Sequence, residues 1–153
     1  MANLGVGKLR ASLGYNPETG VFTRKVTSSF NPRVQAGTPA GSRDSAGYLR
    51  IRIGKPRYLA HRLAWFFVHG QWPTAELDHI NGVKDDNRIA NLRQATRSQN
   101  IANSRLLSSN TSGVKGVSYD KATGQWMAFI TINRRMRNLG RFDSKEAAIA
   151  VRQ

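Results

Sequence analysis

The apolar run over residues 63–68 constrains this fold most, because it is the longest uncharged apolar stretch and has only six members. A membrane-spanning helix needs about 20 such residues, so the sequence does not predict a transmembrane segment. Gly70 follows the run, and glycine is the usual residue just beyond a helix end. The run therefore predicts one short buried helix over residues 61–69, in a chain otherwise built of shorter elements.

Turn signals divide the first 60 residues into small pieces. A short helix is predicted first, followed by a hairpin around the polar turn of residues 16–20. Residues 27–47 are rich in Gly, Pro, Ser and Thr and predict a loop. Residues 48–53 alternate apolar and basic side chains, which predicts a second hairpin over residues 48–60 with Arg50 and Arg52 on one face.

The remaining chain predicts two further groups of elements. Residues 77–104 read as strand, loop, strand and helix, with a turn at Asn81-Gly82 and a capping box formed by Thr96 and Gln99. After a linker come three strands, at 116–119, 125–132 and 137–142, with turns at 123–124 and 133–134. A final helix over 147–151 follows a second capping box, at residues 143–146.

The predicted fold class is α+β, with a ββα core between a hairpin-rich N-terminal region and a C-terminal three-stranded antiparallel sheet backed by a helix. The expected domains are residues 1–60, 61–104 and 114–153, with a linker at 105–113. The last helix is short, which favours a shortened form of the C-terminal module.

The charge of the chain is strongly positive and unevenly distributed. Its 24 Lys and Arg residues against 9 Asp and Glu residues give a formal net charge of +15. Residues 1–60 hold ten basic and two acidic residues, residues 101–153 hold nine and three, and the middle is nearly neutral. Such an excess repels itself unless a polyanion neutralises it, so nucleic acid is the first partner to consider. The chain has no cysteine, which excludes disulfides, zinc–cysteine sites and a cysteine nucleophile.

The middle segment carries a specific string of polar residues. Asp78 and His79 stand side by side at a predicted strand end, Asn91 follows, and Asn100 lies in the first turn of the predicted helix. The surrounding pieces are His61-Arg-Leu-Ala-Trp, Trp72-Pro, Asp78-His-Ile-Asn-Gly, Asp86-Asn-Arg-Ile-Ala-Asn-Leu-Arg and Ser98-Gln-Asn. Over about 40 residues this string resembles the phage-type, homing-endonuclease-like HNH endonucleases, whose fold is a ββα-metal core. The last family position is often His, and Asn100 matches the H-N-N branch in which Asn serves as a metal ligand.

The residues also suit phosphodiester hydrolysis, which needs a base to deprotonate water and a cation to absorb developing charge. Neutral imidazole accepts a proton at cellular pH, so His79 is the predicted general base. Asp78 and Asn100 offer hard oxygens that suit a single Mg²⁺ or Mn²⁺ ion. The resemblance implies that Asn91 hydrogen-bonds across the loop and orients the backbone behind His79.

Local geometry limits how these side chains meet. Consecutive strand residues point to opposite faces, so Asp78 and His79 converge only if the strand ends or bulges there, as the Asn81-Gly82 turn favours. His61 lies on the apolar helix and is predicted to be a buried, hydrogen-bonded positioning residue. The acidic loop of residues 85–87 is predicted to be solvated rather than a second cation site.

The C-terminal segment has a resemblance of its own. Its pieces are Gly116-Val-Ser-Tyr, Trp126-Met-Ala-Phe-Ile, Leu139-Gly-Arg-Phe and Glu146-Ala-Ala, and they resemble the Apetala-type DNA-binding domain. The resemblance implies a sheet that lies in the major groove. Trp126 shares its strand face with Ala128 and Ile130, and alternation leaves open whether that face contacts DNA or packs on the helix. The DNA contacts predicted across the whole chain are Arg50, Arg52, Arg93, Arg97, Trp126, Arg134, Arg135, Arg137 and Arg141.

We therefore expect a metal-dependent HNH DNA endonuclease of phage or mobile-element type that nicks or cuts double-stranded DNA. A non-catalytic, sequence-specific DNA-binding protein is the alternative, and an RNA-binding structural protein is a third class; Asp78, His79 and Asn100 favour the enzyme. The first residues show no secretory signal pattern. We expect a cytoplasmic monomer without membrane contact, located in the host cytoplasm if a phage encodes it.

Overall fold

The structure is a computed structural model that describes residues 4–28, 31, 34–104, 106, 108–132 and 135–152. The chain forms two compact units that divide between residues 103 and 104. The described residues form four helices and ten short strands in antiparallel sheets, which is the predicted α+β class. None of the helices in these ranges is long and apolar enough to cross a membrane.

The first unit begins with helix α1 (Val6–Ser12) and a hairpin of strands β1 (Leu13–Tyr15) and β2 (Phe22–Arg24). The Asn16 side chain shapes the turn, because its Oδ1 accepts hydrogen bonds from two backbone N–H groups two and three residues later. The turn brings the strand ends together, with Tyr15 opposite Phe22. The predicted first hairpin is confirmed.

The second sheet has three strands, β3 (Ser42–Arg43), β4 (Leu49–Arg52) and β5 (Arg57–Leu59), in the order β3-β4-β5. The predicted hairpin of β4 and β5 is confirmed. Strand β3 was not predicted, because it is a two-residue strand inside a segment rich in turn-forming residues.

Helix α2 (Ala60–His69) follows directly and confirms the helix predicted from the apolar run. It ends at Gly70, which adopts the left-handed conformation with φ 71° and donates its N–H to the carbonyl of Phe66. Its buried face, which includes Leu63 and Ala64, joins the main core.

The next elements are strand β6 (Glu76–His79), a 3₁₀ turn (Ile89–Asn91), strand β7 (Leu92–Ala95) and helix α3 (Arg97–Asn103). Strands β6 and β7 pair antiparallel, and α3 packs on both. Thr96 and Gln99 form the predicted capping box, because each side chain accepts a hydrogen bond from the backbone N–H of the other. The strand, loop, strand, helix order is the one the sequence predicted.

One hydrophobic core runs through the whole first unit. It includes Leu9 of α1, Phe22 of β2, Ile51 of β4, Leu63 of α2 and Leu92 of β7. The N-terminal hairpins and the ββα elements therefore fold around shared apolar contacts, and each depends on the other for burial.

The second unit contains strands β8 (Val117–Asp120), β9 (Gln125–Ile132) and β10 (Arg135–Phe142), followed by helix α4 (Lys145–Arg152). The sheet order is β10-β9-β8, and all its pairs are antiparallel. The turn predicted at 133–134 lies outside the described residues. Ser144, rather than Asp143, caps α4, because the N–H of Ala147 donates to its Oγ at 3.2 Å.

Helix α4 covers one face of this sheet. Ala148 of the helix packs with Ala128 of β9 and Val117 of β8, and these three residues are almost fully buried. Trp126 lies partly buried against the same cluster. The sheet face that carries Trp126 and Ala128 is therefore the face that packs on the helix. Alternation in the sequence alone did not decide this.

Candidate active site

His79 is the last residue of strand β6, and the chain turns away directly after it. The N–H of Gly82 donates to the carbonyl of His79 at 2.8 Å, and Gly82 has φ 69°, a conformation that glycine adopts without strain. The His79 side chain is buried with 5% of its surface exposed. The turn at Asn81-Gly82 thus places an imidazole at the end of the two-stranded sheet.

Asp78 precedes His79 and is held from two sides. Nε and Nη2 of Arg93 donate to Asp78 Oδ2 at 3.0 and 2.8 Å, from the residue directly opposite on strand β7. Nδ2 of Asn103 donates to Asp78 Oδ1 at 3.1 Å. The carboxylate is therefore fixed between strand β7 and helix α3, whereas His79 lies beside α2.

Asn91 links both ends of the loop that separates the two strands. Its Oδ1 accepts the N–H of Asn81 at 3.0 Å, and its Nδ2 donates to Asn81 Oδ1 and to the carbonyl of Asp86 at 3.0 and 2.9 Å. Its own carbonyl accepts the N–H of Ile80, the residue after His79. Asn91 is in position to orient the backbone behind His79.

Helix α3 brings two asparagines to strand β6. Nδ2 of Asn100 donates to Glu76 Oε2 at 2.7 Å, whereas Nδ2 of Asn103 donates to Asp78 and to the His79 carbonyl, the latter at 2.8 Å. Hydrogen bonds thus place Asn103, rather than the predicted Asn100, at the Asp78–His79 pair. The sequence reasoning missed Asn103, although its position three residues after Asn100 puts both on one helix face.

The surroundings of His79 favour its neutral form. Burial lowers its pKa, although the Asn87 side chain and nearby carboxylates such as Asp78 act in the opposite direction. His61 packs edge to face on His79, and burial lowers the pKa of His61 to about 3. Nε2 of His79 and Nδ1 of His61 are buried without a hydrogen-bond partner among the described residues. The site therefore contains a buried imidazole whose neutral form is favoured.

The acidic loop before the 3₁₀ turn is shaped by its own hydrogen bonds. Nδ2 of Asn87 donates to the carbonyl of Asp85, and Tyr15 donates its hydroxyl to the Asn87 carbonyl at 2.8 Å. Asp86 accepts Arg88 and Asn81, which lowers its pKa to about 2. Within the described ranges, no group of three or more His, Cys, Asp and Glu side chains could hold a metal ion.

The predicted DNA contacts of the first unit have different surroundings. Arg93 pairs with Asp78, and Arg97 with Glu76 at 3.4 Å. Arg50 and Arg52 share one face of β4, as predicted, and Arg50 pairs with Asp44 at 2.6 Å. Arg93 and Arg97 therefore meet carboxylates at the site itself, and Arg52 is exposed on the sheet.

The predicted contacts of the second unit do not share one face. Cross-strand partners lie on the same face, so Arg141 opposite Met127 and Arg137 opposite Ile130 lie on opposite faces. A bulge at residue 139 causes the change. Arg135 is exposed near the strand start, and Arg134 lies outside the described residues. Trp126 packs towards α4, where Lys145 Nζ lies 5.7 Å from its ring centroid.

Comparison with known proteins finds similarity in the segment that contains this site. Residues 58–102 match the family model described as HNH endonuclease. The chain is also 33% identical over 79 residues to Protein 3.8 of Escherichia phage T7. This alignment covers 51% of the present chain and 65% of the phage protein. No solved structure matches the chain significantly.

The matched segment includes α2, both strands of the ββα unit and most of α3. Residues 58–102 are therefore an HNH endonuclease domain, and the strand-end Asp78–His79 pair lies inside it. The family match ends before the second unit, so it gives no support to an Apetala-type domain there.

Proposed function

We propose that this chain is a divalent-metal-dependent endonuclease that hydrolyses phosphodiester bonds in double-stranded DNA. The observation that carries the proposal is the Asp78–His79 pair at the end of β6, inside the HNH segment, with the following loop fixed by Asn91. A phage or mobile-element role in the host cytoplasm is supported by the likeness to the T7 protein.

His79 is the proposed general base. A base must be unprotonated when water attacks, and burial lowers the pKa of His79 so that the neutral imidazole prevails at pH 7. Asn91 and Asn103 keep the backbone of His79 in place through the Ile80 N–H and the His79 carbonyl. These contacts orient the imidazole through the backbone and do not involve its ring nitrogens.

Strand β6 and helix α3 carry oxygen atoms of the kind that a hard divalent cation prefers. Oδ1 of Asn100 is buried and has no hydrogen-bond partner within the described part of the chain. Asp78 supplies a carboxylate, and hard oxygens are the ligands that Mg²⁺ and Mn²⁺ prefer. Asp78 and Asn100 would hold the ion, which supplies charge stabilisation for the phosphate and the leaving oxygen when bound.

We also propose that the second unit reads the DNA sequence. Its sheet-plus-helix arrangement is the one that the resemblance to the Apetala-type domain implies, and three arginines of β10 are exposed: Arg135, Arg137 and Arg141. Base-edge contacts carry sequence information that phosphate contacts lack. Trp126 belongs to the core of this unit, and Arg141 is the proposed base contact because it lies on the sheet face opposite the helix.

A plasmid-nicking assay tests the proposed function. Supercoiled DNA is incubated with the full chain in Mg²⁺, in Mn²⁺ and in a chelator, and the cut ends are sequenced. We expect metal-dependent cleavage that His79→Ala lowers about 10² to 10⁴-fold while binding remains. Binding without cleavage in either metal would instead identify a non-catalytic DNA-binding protein, and a preference for folded RNA would identify the third class.

A further inference from the structure

A basic groove of about 360 Å³ lies in the first unit, and its arginines stand outside the HNH segment. Two hydroxyl side chains and four guanidinium groups are among the residues that line it: Thr38, Ser42, Arg24, Arg50, Arg52 and Arg57. Only Arg50 and Arg52 were predicted from the sequence to contact DNA. The groove therefore contains more cationic side chains than the alternating sequence pattern of β4 predicted.

Three strands bring these arginines together. Arg50 and Arg52 flank the buried Ile51 on β4, so they share the outer face of the sheet. Arg57 on β5 is directly opposite Arg52. Arg24 comes from β2, whose backbone joins the same wall because the N–H of Arg24 donates to the Thr38 carbonyl at 2.9 Å.

The charges in this groove are mostly uncompensated. Asp44 accepts a hydrogen bond from Arg50 at 2.6 Å, but the other three arginines have no ion pair with a described carboxylate. Like charges directly opposite on neighbouring strands destabilise a sheet, and the Arg52–Arg57 pair has that arrangement. A phosphate between the two guanidinium groups would relieve this repulsion.

We infer that the groove binds the phosphate backbone of duplex DNA. Arginine presents a planar fork of donors that matches phosphate oxygens, and the hydroxyl group of Ser42 adds a neutral donor. The sheet is anchored at the catalytic site, because Tyr48, just before β4, lies 6.0 Å from His79 between ring centroids. The choice of DNA rests on the proposed function and assigns the groove to the substrate flanking the cut.

The test is the salt dependence of DNA binding, measured in full-length His79→Ala so that cleavage does not interfere. Anisotropy of a labelled duplex is followed from 50 to 200 mM salt in this background with Arg52→Gln and Arg57→Gln added. Each lost phosphate contact lowers the slope of log affinity against log salt by about 0.9, so we expect a decrease of about 1.8. The control adds Lys8→Gln and Arg10→Gln on α1, an equal charge change outside the groove, and should keep the slope.

The outcomes distinguish a failure of the groove inference from a failure of the proposed function. Equal slopes for the groove variant and the α1 control would overturn the inference, and a larger effect on a hairpin RNA than on duplex DNA would assign the groove to RNA. Thermal unfolding should show no loss of stability in the groove variant, because the substitutions remove a repulsion. Nicking by the unmodified chain is measured separately. If the chain does not cut DNA but the groove variant shows the slope change, the groove inference stands and the nuclease assignment is wrong.

Discussion

The imidazole rings of His61 and His79 meet edge to face, with centroids 5.0 Å apart and planes inclined by 83°. His61 comes from α2 and His79 from the end of β6, so this contact joins the apolar helix to the ββα unit. Burial holds the pKa of both rings below the ordinary histidine value. A cationic His61 would repel a cationic His79, and the pair is therefore built to remain neutral.

The first prediction concerns the pH dependence of stability. Because the folded-state pKa of His61 is about 3, the unfolded chain binds a proton at pH values where the folded chain does not. The free energy of unfolding should fall as pH falls below about 6.5, with a contribution from His61 of up to about 1.4 kcal/mol per pH unit. Urea titrations between pH 7 and 4 measure this slope.

His61→Phe removes the titrating group but keeps a ring in the same place, so its unfolding free energy should depend less on pH across that window. The matched control is His69→Phe, at the exposed end of α2. If His61→Phe and the parent chain lose stability in parallel from pH 7 to 4, His61 is not the group responsible.

The second prediction concerns Asn103, the asparagine that joins α3 to strand β6. Asn103 holds one oxygen of Asp78 and the carbonyl of His79, so Asn103→Ala frees both. Loss of a residue that orients a metal ligand typically costs 10- to 100-fold in activity or metal affinity, and we expect a cleavage loss of about that size. Cleavage rates across a Mg²⁺ titration measure it.

Ser98→Ala, on the exposed side of the same helix, is the control for this variant and should cleave at the parent rate. An unchanged rate and metal dependence in Asn103→Ala would show that Asp78 and His79 hold their positions without the α3 contact.

The third prediction concerns the packing of the first hairpin on the loop between β6 and β7. A Cβ atom at Gly20 would lie 2.5 Å from the backbone nitrogen of Arg88 and 2.6 Å from the carbonyl carbon of Asn87. Gly20 also has φ 72°. Gly20→Ala should therefore lower the free energy of unfolding by about 2 to 4 kcal/mol, from left-handed strain together with the clash.

Gly54→Ala provides the matched control, because Gly54 has φ 68° but a Cβ atom added there would meet nothing within 4 Å. Its cost should be only the backbone strain of about 1 to 2 kcal/mol. If chemical denaturation shows equal losses of unfolding free energy for the two variants, the hairpin is not in tight contact with the loop.

Local signals predicted most elements of this fold because each signal acts over a few residues. Gly70 ends α2, Thr96 and Gln99 start α3, and Asn81-Gly82 ends β6. The sequence order of strand, loop, strand and helix then placed Asp78 and His79 at a strand end.

Contacts between distant segments could not be read in the same way. The Asn103 bond to Asp78 depends on how α3 docks on β6, and the cross-strand Arg93–Asp78 pair depends on the register of β6 and β7. The grouping of Arg24 with Arg57 requires two hairpins to pack on one core. Each of these arrangements is set by tertiary packing, which the local periodicity of the sequence does not predict.

The last prediction concerns the face of the second unit that we propose to contact DNA. Helix α4 covers the face that carries Ala128, so a duplex can lie flat only on the other face, where Arg141 stands opposite Met127. Arg141→Gln should therefore lower the salt slope by about 0.9 and reduce the preference for the cleaved sequence over random duplex. Arg137→Gln is the matched control, since it makes the same change on the same strand but on the face of Ile130, and should retain that preference. Competition binding of the two variants against specific and random duplexes decides between the faces, and a greater loss of preference in Arg137→Gln would place the reading surface on the helix side.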